Sequence, residues 1–238
     1  AATFAGSGGK PASRGALAIK AGLMLYDFVT RKNRMLHRHV FRGAADTLQH
    51  WPDLTPEIRY SATYYDAWIS QPERLSLELL IDSQSDAPQS VALNYAELIR
   101  VGDEYGLRTE EADEILPIRP RIIINATGAW IDETIGVLAD GPASDRAKPT
   151  VSGTKGSHLI LANDELLKAL NGHMIFFENT DNRVCILFPY LDRVLAGSTD
   201  IKVDRPERVR CEPEERDYIL DAIRQVFPQI AIDRSDIV

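Results

Sequence analysis

Cysteine is scarce in this sequence, and long apolar runs are absent. Among its 238 residues there are two cysteines, Cys185 and Cys211, and they do not form a CxxC pair. This number and spacing indicate neither a zinc site nor a disulfide framework, so a reducing, cytoplasmic compartment is expected. No apolar run approaches the ~20 residues that a bilayer-spanning helix needs. A transmembrane segment is therefore not predicted.

Positive charge is also in short supply. The chain has 27 Lys and Arg against 35 Asp and Glu, which gives a net charge of −8 at pH 7. This balance argues against nucleic-acid binding, because phosphates require a surface rich in Lys and Arg. The apolar content of 44% is near the globular average, so a core can be buried. The length suits one domain, or one domain plus a piece of another.

Several motifs that would identify a common activity are missing. The sequence contains no Gly-x-Gly-x-x-Gly after a strand, no Walker loop and no Gly-x-Ser-x-Gly elbow. It also lacks a set of His, Asp and Glu at metal-ligand spacing, and no metal site is predicted. By these tests alone the chain is an α/β domain to which no chemistry can be assigned.

The spacing of apolar residues predicts a mixture of helices and strands. Helices are predicted over residues 16–30, 43–50, about 70–82 and about 214–226. Strands are predicted over residues 58–69, 91–99, 105–111 and 122–125, with an antiparallel meander over 158–161, 174–178, 183–189 and 194–198. The expected fold class is α+β, a mainly antiparallel sheet flanked by helices.

Three segments carry more specific expectations. Residues 1–20 are predicted to be disordered or a fragment end, because the first nine are small and rich in Gly and Ser. The apolar run at 121–125 predicts a strand buried on both faces, as in a parallel sheet. The helix that begins near Ser70 is predicted to bury Leu75, Leu79 and Leu80.

The turn after the apolar run is a candidate ligand site. Gly128 allows the main chain to approach a ligand closely. The N-terminus of the helix that follows favours an anion such as a pyrophosphate. An ordinary strand-to-helix turn, with glycine for its geometry, explains the same residues.

Polar residues at strand ends offer further candidates. Lys155 supplies a point charge, His158 can exchange a proton near neutral pH, and Arg183 can hold a phosphate bidentately. Tyr64 lies in an aromatic run that could line a pocket. A solvated loop, a surface ion pair and the two faces of a strand are the ordinary alternatives.

Seven short segments occur in a specific order along the chain. They are Ala21-Gly22-Leu23-Met24-Leu25-Tyr26-Asp27, Tyr64-Tyr65-Asp66 followed by Glu73-Arg74-Leu75, Leu93-Asn94-Tyr95, Asn125-Ala126-Thr127-Gly128-Ala129-Trp130, Thr154-Lys155-Gly156-Ser157-His158, Phe188-Pro189-Tyr190 and Gly197-Ser198-Thr199-Asp200. In this order and spacing they resemble the FAD-dependent glycerol-3-phosphate dehydrogenases, within the wider glycine-oxidase-like flavoproteins. The likeness runs from about Ala21 to Phe227, and Ser198 stands where the family commonly has threonine.

The resemblance implies an organisation for the chain. It looks like the family's substrate domain, over residues 21–238, with a part of the FAD-binding domain at about 115–150 that includes one stray strand. The family's N-terminal Rossmann segment is absent. The chain is therefore expected to be an internal fragment, colourless and inactive alone, while FAD is expected in the full-length protein.

The resemblance also implies roles for individual residues. Thr127, Gly128 and Trp130 match the turn that lies against FAD. Arg183 matches the arginine that binds the substrate phosphate, and Tyr64 is expected on the substrate side. Lys155 and His158 fall in the family's Lys-Gly-Ser-His motif near the active site and are expected to be catalytic.

The reaction implied is oxidation of sn-glycerol 3-phosphate to dihydroxyacetone phosphate. Hydride passes to FAD, and the electrons go on to quinone or another acceptor, with peripheral contact at the inner face of the membrane in the full-length protein. Two alternatives stay open: a fragment of a related flavin amine or amino-acid oxidase, and a binding module without catalysis.

Overall fold

The computed structural model of the chain describes residues 2–5, 16–32, 34–110, 112–139, 150–205 and 207–238. They divide into two compact units. Unit 1 comprises residues 1–67, 154–201 and 208–238, and unit 2 comprises residues 68–153 and 202–207. None of the helices in these described ranges is long and apolar enough to cross a membrane.

The described residues form strands and helices in the following order. The strands are β1 (Ala2–Ala5), β2 (Val40–Gly43), β3 (Tyr60–Tyr64), β4 (Ala96–Val101), β5 (Glu104–Thr109), β6 (Ala112–Ile118), β7 (Gly153–Lys155), β8 (His158–Leu161), β9 (Met174–Glu178), β10 (Val184–Tyr190), β11 (Arg193–Gly197) and β12 (Ile201–Val203). The helices are α1 (Ala16–Val29), α2 (Ala44–His50), α3 (Pro72–Asp86), α4 (Ile131–Leu138), α5 (Asp164–Ala169) and α6 (Pro213–Val226).

Unit 1 is built on a seven-stranded sheet in the order β2-β3-β1-β9-β10-β11-β8. The β1–β9 pair is parallel, and the other pairs are antiparallel. The register brings Gly197 of β11 opposite His158 of β8 on one side and opposite Ile186 of β10 on the other. Residues that are far apart in sequence therefore become neighbours at one end of the sheet.

The two faces of this sheet differ in burial. Alternate residues of β8 to β11 are buried and form what we call the covered face: Leu159, Leu161, Ile175, Phe177, Cys185, Leu187, Val194 and Ala196. Helices α5 and α6 pack against it with Leu166, Leu170, Ile219 and Ile223. The residues between them form the open face. On this face His158 is exposed, and the other residues are half-buried: Ile160, Met174, Phe176, Ile186, Phe188 and Leu195. The period-2 alternation of strands produces this contrast.

Unit 2 contains a three-stranded antiparallel sheet in the order β4-β5-β6, together with α3 and α4. Helix α3 has no buried residue. Its leucines, predicted to be buried, are exposed: Leu79 has 59% of its surface accessible, and Leu75 and Leu80 are similar. That prediction was wrong, because apolar spacing on a helix does not by itself supply a surface to cover it.

The predicted fold class is confirmed, and most of the predicted elements are present. Helices α1, α2, α3 and α6 lie where helices were predicted, and the strands of the meander match β8, β9, β10 and β11 within one residue. The helix α5 and the strands β1, β2, β6, β7 and β12 were missed. The sheet order also differs from a simple meander, because α5 separates β8 from β9 in the chain and β8 pairs with β11.

One local prediction was wrong, and another holds for part of its range at most. The segment 121–127 is not a strand, and Ile122 and Ile124 are 81% and 86% exposed. A doubly buried strand requires neighbours on both edges and both faces, and none of the described strands pairs with this segment. Residues 2–5 are a strand and 16–20 lie in α1, so residues 1–20 are not disordered throughout; residues 1 and 6–15 lie outside the described part.

The division into units also differs from the predicted domains. A part of the FAD-binding domain was predicted at about 115–150, whereas unit 2 begins at Trp68 and continues to Gly153. Residues 140–149 of that range lie outside the described residues. The assignment of 115–150 to a flavin domain stays a prediction.

Candidate active site

His158 lies at the start of β8, opposite Gly197 on the neighbouring strand. Its imidazole lies directly against the glycine. A methyl group added at Gly197 would lie 2.8 Å from Cγ and 2.9 Å from Nε2 of the ring. Since contacts this short are not tolerated, the ring can take this position only because residue 197 has no side chain.

The environment of His158 favours the neutral imidazole. Loss of hydration lowers the pKa of His158 below its ordinary value of 6.5. The ring makes no hydrogen bond to another residue within the described part of the chain. A neutral imidazole with an unused nitrogen can accept a proton at neutral pH. This agrees with the chemistry predicted for His158, although a catalytic role for it stays a prediction.

Lys155, three residues before His158 in the sequence, forms an ion pair with a residue of α6. Its Nζ lies 2.6 Å from Oε2 of Glu215, a residue of α6 that is only 3% exposed. The hydrogen bond to Glu215 raises the pKa of Lys155. The ammonium therefore stays charged and directed at α6, and the catalytic role predicted for Lys155 stays a prediction that this geometry does not favour.

Glu215 accepts four hydrogen bonds, which makes it the centre of a buried polar network. Oε1 accepts from Ser157 Oγ at 2.8 Å and from Thr199 Oγ1 at 2.7 Å. Oε2 accepts from Lys155 Nζ and from the backbone N–H of Glu212 at 2.9 Å. Burial opposes ionisation, but these donors outweigh it and lower the pKa of Glu215 to about 2.

Arg183 precedes β10, and its nearest partner is a carboxylate. Its Nε lies 3.3 Å from Oδ2 of Asp181. Asp181 also accepts a hydrogen bond from the hydroxyl of Tyr218, on α6, at 3.1 Å. Because α6 packs on the covered face, this group lies on the opposite side of the sheet from the open face. The structure does not bring Arg183 together with His158.

Tyr64 lies on the open face, near the opposite edge of the sheet from His158. It is in register with Met174 through β1, and its ring stacks on Phe176 with 6.4 Å between centroids. Four strands lie between β3 and β8, so the two side chains are about 24 Å apart along the sheet at ~4.8 Å per strand. Burial, and then the charge of Asp66, raise the pKa of Tyr64, so its hydroxyl stays protonated.

In unit 2, Asn125 shapes the turn that was predicted to contact a cofactor. Its Oδ1 accepts from the backbone N–H of Thr127 at 3.2 Å and from Thr127 Oγ1 at 2.8 Å, while its Nδ2 donates to Ile131 O. Thr127 Oγ1 also lies 3.0 Å from Thr134 Oγ1. The hydroxyl of Thr127 is thus engaged within the turn. The turn also engages the backbone of Trp130, whose N–H donates to Thr127 O at 3.1 Å and whose carbonyl accepts from Thr134 Oγ1 at 3.2 Å.

This turn fits a flat, anionic dinucleotide such as FAD. Gly128 has a positive φ of 58°, and a methyl group placed on it would meet nothing within 4 Å. Trp130, next along the turn, is 52% exposed. The carboxylate of Asp132 accepts hydrogen bonds from the backbone N–H groups of Thr150 and Val151. The open space beside Gly128 and the exposed indole offer a surface that a flat nucleotide or flavin can contact.

The sequence did not single out Glu215, Gly197 and Thr199 as parts of this region. Glu215 fell within the helix predicted at about 214–226, and Gly197 and Thr199 were noted only as parts of a motif. The separation of 42 residues between Ser157 and Thr199 hides their hydrogen bond from any local pattern. The proximity of Glu215 to Pro213 signals a capping box, which it does form with Glu212. No group of His, Cys, Asp and Glu within the described residues could hold a metal ion.

The chain is similar to known flavoproteins over nearly its whole length. The model of the FAD dependent oxidoreductase family matches residues 10–238. A glycerol-3-phosphate dehydrogenase of Synechocystis sp. is 27% identical over 94% of this chain and 42% of its own length. An aerobic glycerol-3-phosphate dehydrogenase of Bacillus subtilis is 26% identical over 94% of this chain and 40% of its length. The chain therefore spans about two-fifths of these relatives.

A solved structure supports the fold. The glycerol-3-phosphate dehydrogenase from Bacillus halodurans, complexed with FAD, has a TM-score of 0.66 and 25% identity. The match covers 83% of this chain and 39% of that one.

Proposed function

We propose that this chain, which belongs to the FAD dependent oxidoreductase family, forms the substrate side of a dehydrogenase that oxidises sn-glycerol 3-phosphate to dihydroxyacetone phosphate. The observation that carries this proposal is the imidazole of His158 on the open face of the sheet. It is accessible, has no hydrogen-bond partner among the described residues, and has a pKa lowered by loss of hydration. The choice of substrate follows from the names of the relatives, and the open face offers a surface on which this substrate can bind.

The chemistry of this reaction requires a proton acceptor. The O–H bond of the C2 hydroxyl breaks and releases a proton. The C–H bond at C2 breaks, and the hydrogen leaves with the electron pair as hydride. The carbonyl forms between C2 and its oxygen. His158 accepts the proton, because its pKa is below neutrality and its ring reaches a partly exposed surface. FAD, when bound, supplies the acceptor for the hydride.

The apolar surroundings of His158 support this role. Ile186 and Phe176 lie in the same row of the sheet as Gly197, so the imidazole faces a surface with little competing polarity. Such a surface excludes water from the reacting atoms and strengthens electrostatic interactions with the substrate. Tyr64 lies too far along the sheet to contact a three-carbon substrate at His158, so we propose for it a role in shaping the face.

Arg183 is the candidate for the substrate phosphate. A guanidinium can hold a phosphate dianion by two parallel hydrogen bonds. Its ion pair with Asp181 is partly exposed, at 43% and 41% of the two side chains, so the exchange of one anion for another costs little. This role requires the side chain to leave Asp181 and to turn from the side of α6 towards the open face, where His158 lies.

The turn at residues 127–130 is the candidate for contact with FAD. The positive φ of Gly128 and the open space beside it support a close approach of the cofactor to the backbone. Asn125 would keep the turn in shape, and the exposed indole of Trp130 offers an aromatic surface.

Calorimetric titration of the chain with glycerol 3-phosphate tests this function. We expect weak binding that needs the phosphate, so that glycerol gives no heat, and that is lost in Arg183→Ala. Arg193→Ala is the matched control, because Arg193 also pairs with an aspartate that precedes it in the sequence, at 2.9 Å, and has a similar exposure. Equal binding by the wild type and Arg183→Ala would remove Arg183 from the phosphate site. Binding of glycerol as tight as that of its phosphate would contradict the substrate.

A further inference from the structure

The imidazole of His158 depends on two pieces of backbone that come from separate parts of the chain. One is the segment 155–158, which carries His158 itself. The other is the segment 197–199, whose Gly197 lies beneath the ring. A shift of either segment relative to the other would separate the ring from the glycine. The position of the imidazole therefore depends on the contact between these two segments, at the end of the β8–β11 ladder.

Hydrogen bonds join the two segments directly. The backbone N–H of Ser157 donates to Thr199 Oγ1 at 2.8 Å, and the backbone N–H of Thr199 donates to the carbonyl of Ser157 at 3.4 Å. Both residues are buried. Gly156 also lies so close to the other segment that a methyl group on it would be 3.1 Å from the carbonyl oxygen of Thr199.

One atom of α6 binds both segments at the same time. Oε1 of Glu215 accepts from Ser157 Oγ and from Thr199 Oγ1, while Oε2 holds Lys155. The Thr199 hydroxyl is thus fixed at both ends: it donates to the carboxylate and accepts from Ser157. A buried carboxylate with four donors has one geometry in which all of them are satisfied, and departure from it leaves buried polar groups unpaired.

We infer that Glu215, acting through the Thr199 hydroxyl and Ser157, is a positioning residue that holds the His158 imidazole against Gly197. It does not contact the reacting atoms. The inference rests on the proposed function, because only a catalytic His158 gives the position of its imidazole a purpose. The position itself can be tested without substrate or cofactor. Lys155 belongs to the same network, so its role is to satisfy the carboxylate.

The test compares two substitutions at one position. Thr199→Val keeps the shape of the side chain and removes the hydroxyl, whereas Thr199→Ser keeps the hydroxyl. Neither changes charge, so neither alters the pKa of a histidine through Coulomb interactions. Nuclear magnetic resonance of the chain with ¹³C-labelled histidines gives the pKa of each imidazole, and the His158 signal is identified by its loss in His158→Gln.

We expect the pKa of His158 to rise to about its ordinary 6.5 in Thr199→Val, because the ring leaves the sheet and regains its hydration, and to stay at the wild-type value in Thr199→Ser. His173 is an internal control: burial also lowers its pKa, and it lies away from the network, so its value should not change. Glu214→Gln is a second control, because Glu214 is the exposed neighbour of Glu215 on α6.

An unchanged pKa of His158 in Thr199→Val, with His173 also unchanged, would overturn the inference. If His173 shifts as well, the variant has lost its fold, and Ser157→Ala takes its place, with the same rise expected and the same result overturning the inference. A rise in the pKa of His158 together with failure of glycerol 3-phosphate to bind would support the positioning role and reject the proposed function.

Discussion

At the scale of single residues, the position of His158 depends on residues that cannot be changed without disturbing their contacts. Gly197 has a role because it lacks a side chain, and Glu215 has one because every lone pair that it presents is used. Both lie within unit 1, and both act on His158 from the side that faces away from a ligand. Substitutions of Gly197 or Glu215 that leave the overall fold intact should therefore change the surroundings of His158 measurably.

Glu215 should make the stability of unit 1 depend on acid. Its pKa is about 2 in the folded chain against an ordinary 4.5, so its contribution is fully present above pH ~4.5 and is lost as the pH falls towards 2. The difference corresponds to roughly 3 kcal/mol. Denaturant unfolding followed by circular dichroism from pH 6 to pH 2.5 should show this loss in the wild type.

The Glu215→Gln variant should be less stable at pH 6 and should lose less stability over the same range. Glu214→Gln removes the same charge from the same turn of α6 without touching the network, and it should behave as the wild type does. Identical pH profiles for Glu215→Gln and the wild type would contradict the role assigned to the carboxylate.

Gly197→Ala should displace the imidazole of His158. The added methyl group would overlap the ring, so the ring must turn away, at a cost of about 1–3 kcal/mol in unfolding free energy. The pKa of His158, measured by nuclear magnetic resonance, should rise. Gly22→Ala serves as the control, since a methyl group there meets nothing within 4 Å in α1 and should stabilise the helix slightly. No change in the pKa would mean that the ring does not depend on the glycine.

At the scale of elements, helices α3 and α5 both contain leucines, but these leucines differ in burial. Leu79 of α3 is 59% exposed, whereas Leu166 of α5 is fully buried in the core. Leu166→Ala should reduce the unfolding free energy by about 2–5 kcal/mol, and Leu79→Ala should change it by less than about 0.5 kcal/mol. Chemical denaturation of both variants measures the contrast. Similar losses would show that α3 is covered in solution.

The same contrast explains what the sequence could and could not predict. Local patterns located α6, β8 and β9 well, because capping residues and alternation act within a few positions. They did not predict the exposure of Ile122 or the pairing of β8 with β11, because both depend on partners far away in the chain. Motif order pointed to His158 and to the turn at Gly128, but the contact with Glu215 spans 58 residues from Ser157 and has no local signature.

At the scale of the whole molecule, the purified chain should be colourless. Among the described residues, the candidate cofactor contacts lie in the turn at 127–130, and the sequence carries no Gly-rich phosphate loop. Visible absorbance after incubation with excess FAD and gel filtration should show no retained flavin. Retention of a stoichiometric amount would mean that the flavin needs fewer contacts than we expect.

Unit 1 is assembled from three stretches of chain, and this has a consequence for how it is made. Strand β8, at one edge of its sheet, pairs on its outer side with Ile237, and the backbone N–H of Val238 donates to Ile160. The three-stranded sheet of unit 2 joins neighbours in sequence and can form while translation continues. The strands of the larger sheet are complete at Gly197, but its edge strand β8 and its covered face have to wait for residues 208–238, which supply Ile237 and α6. This edge and this face are therefore exposed on the ribosome after the strands have been made.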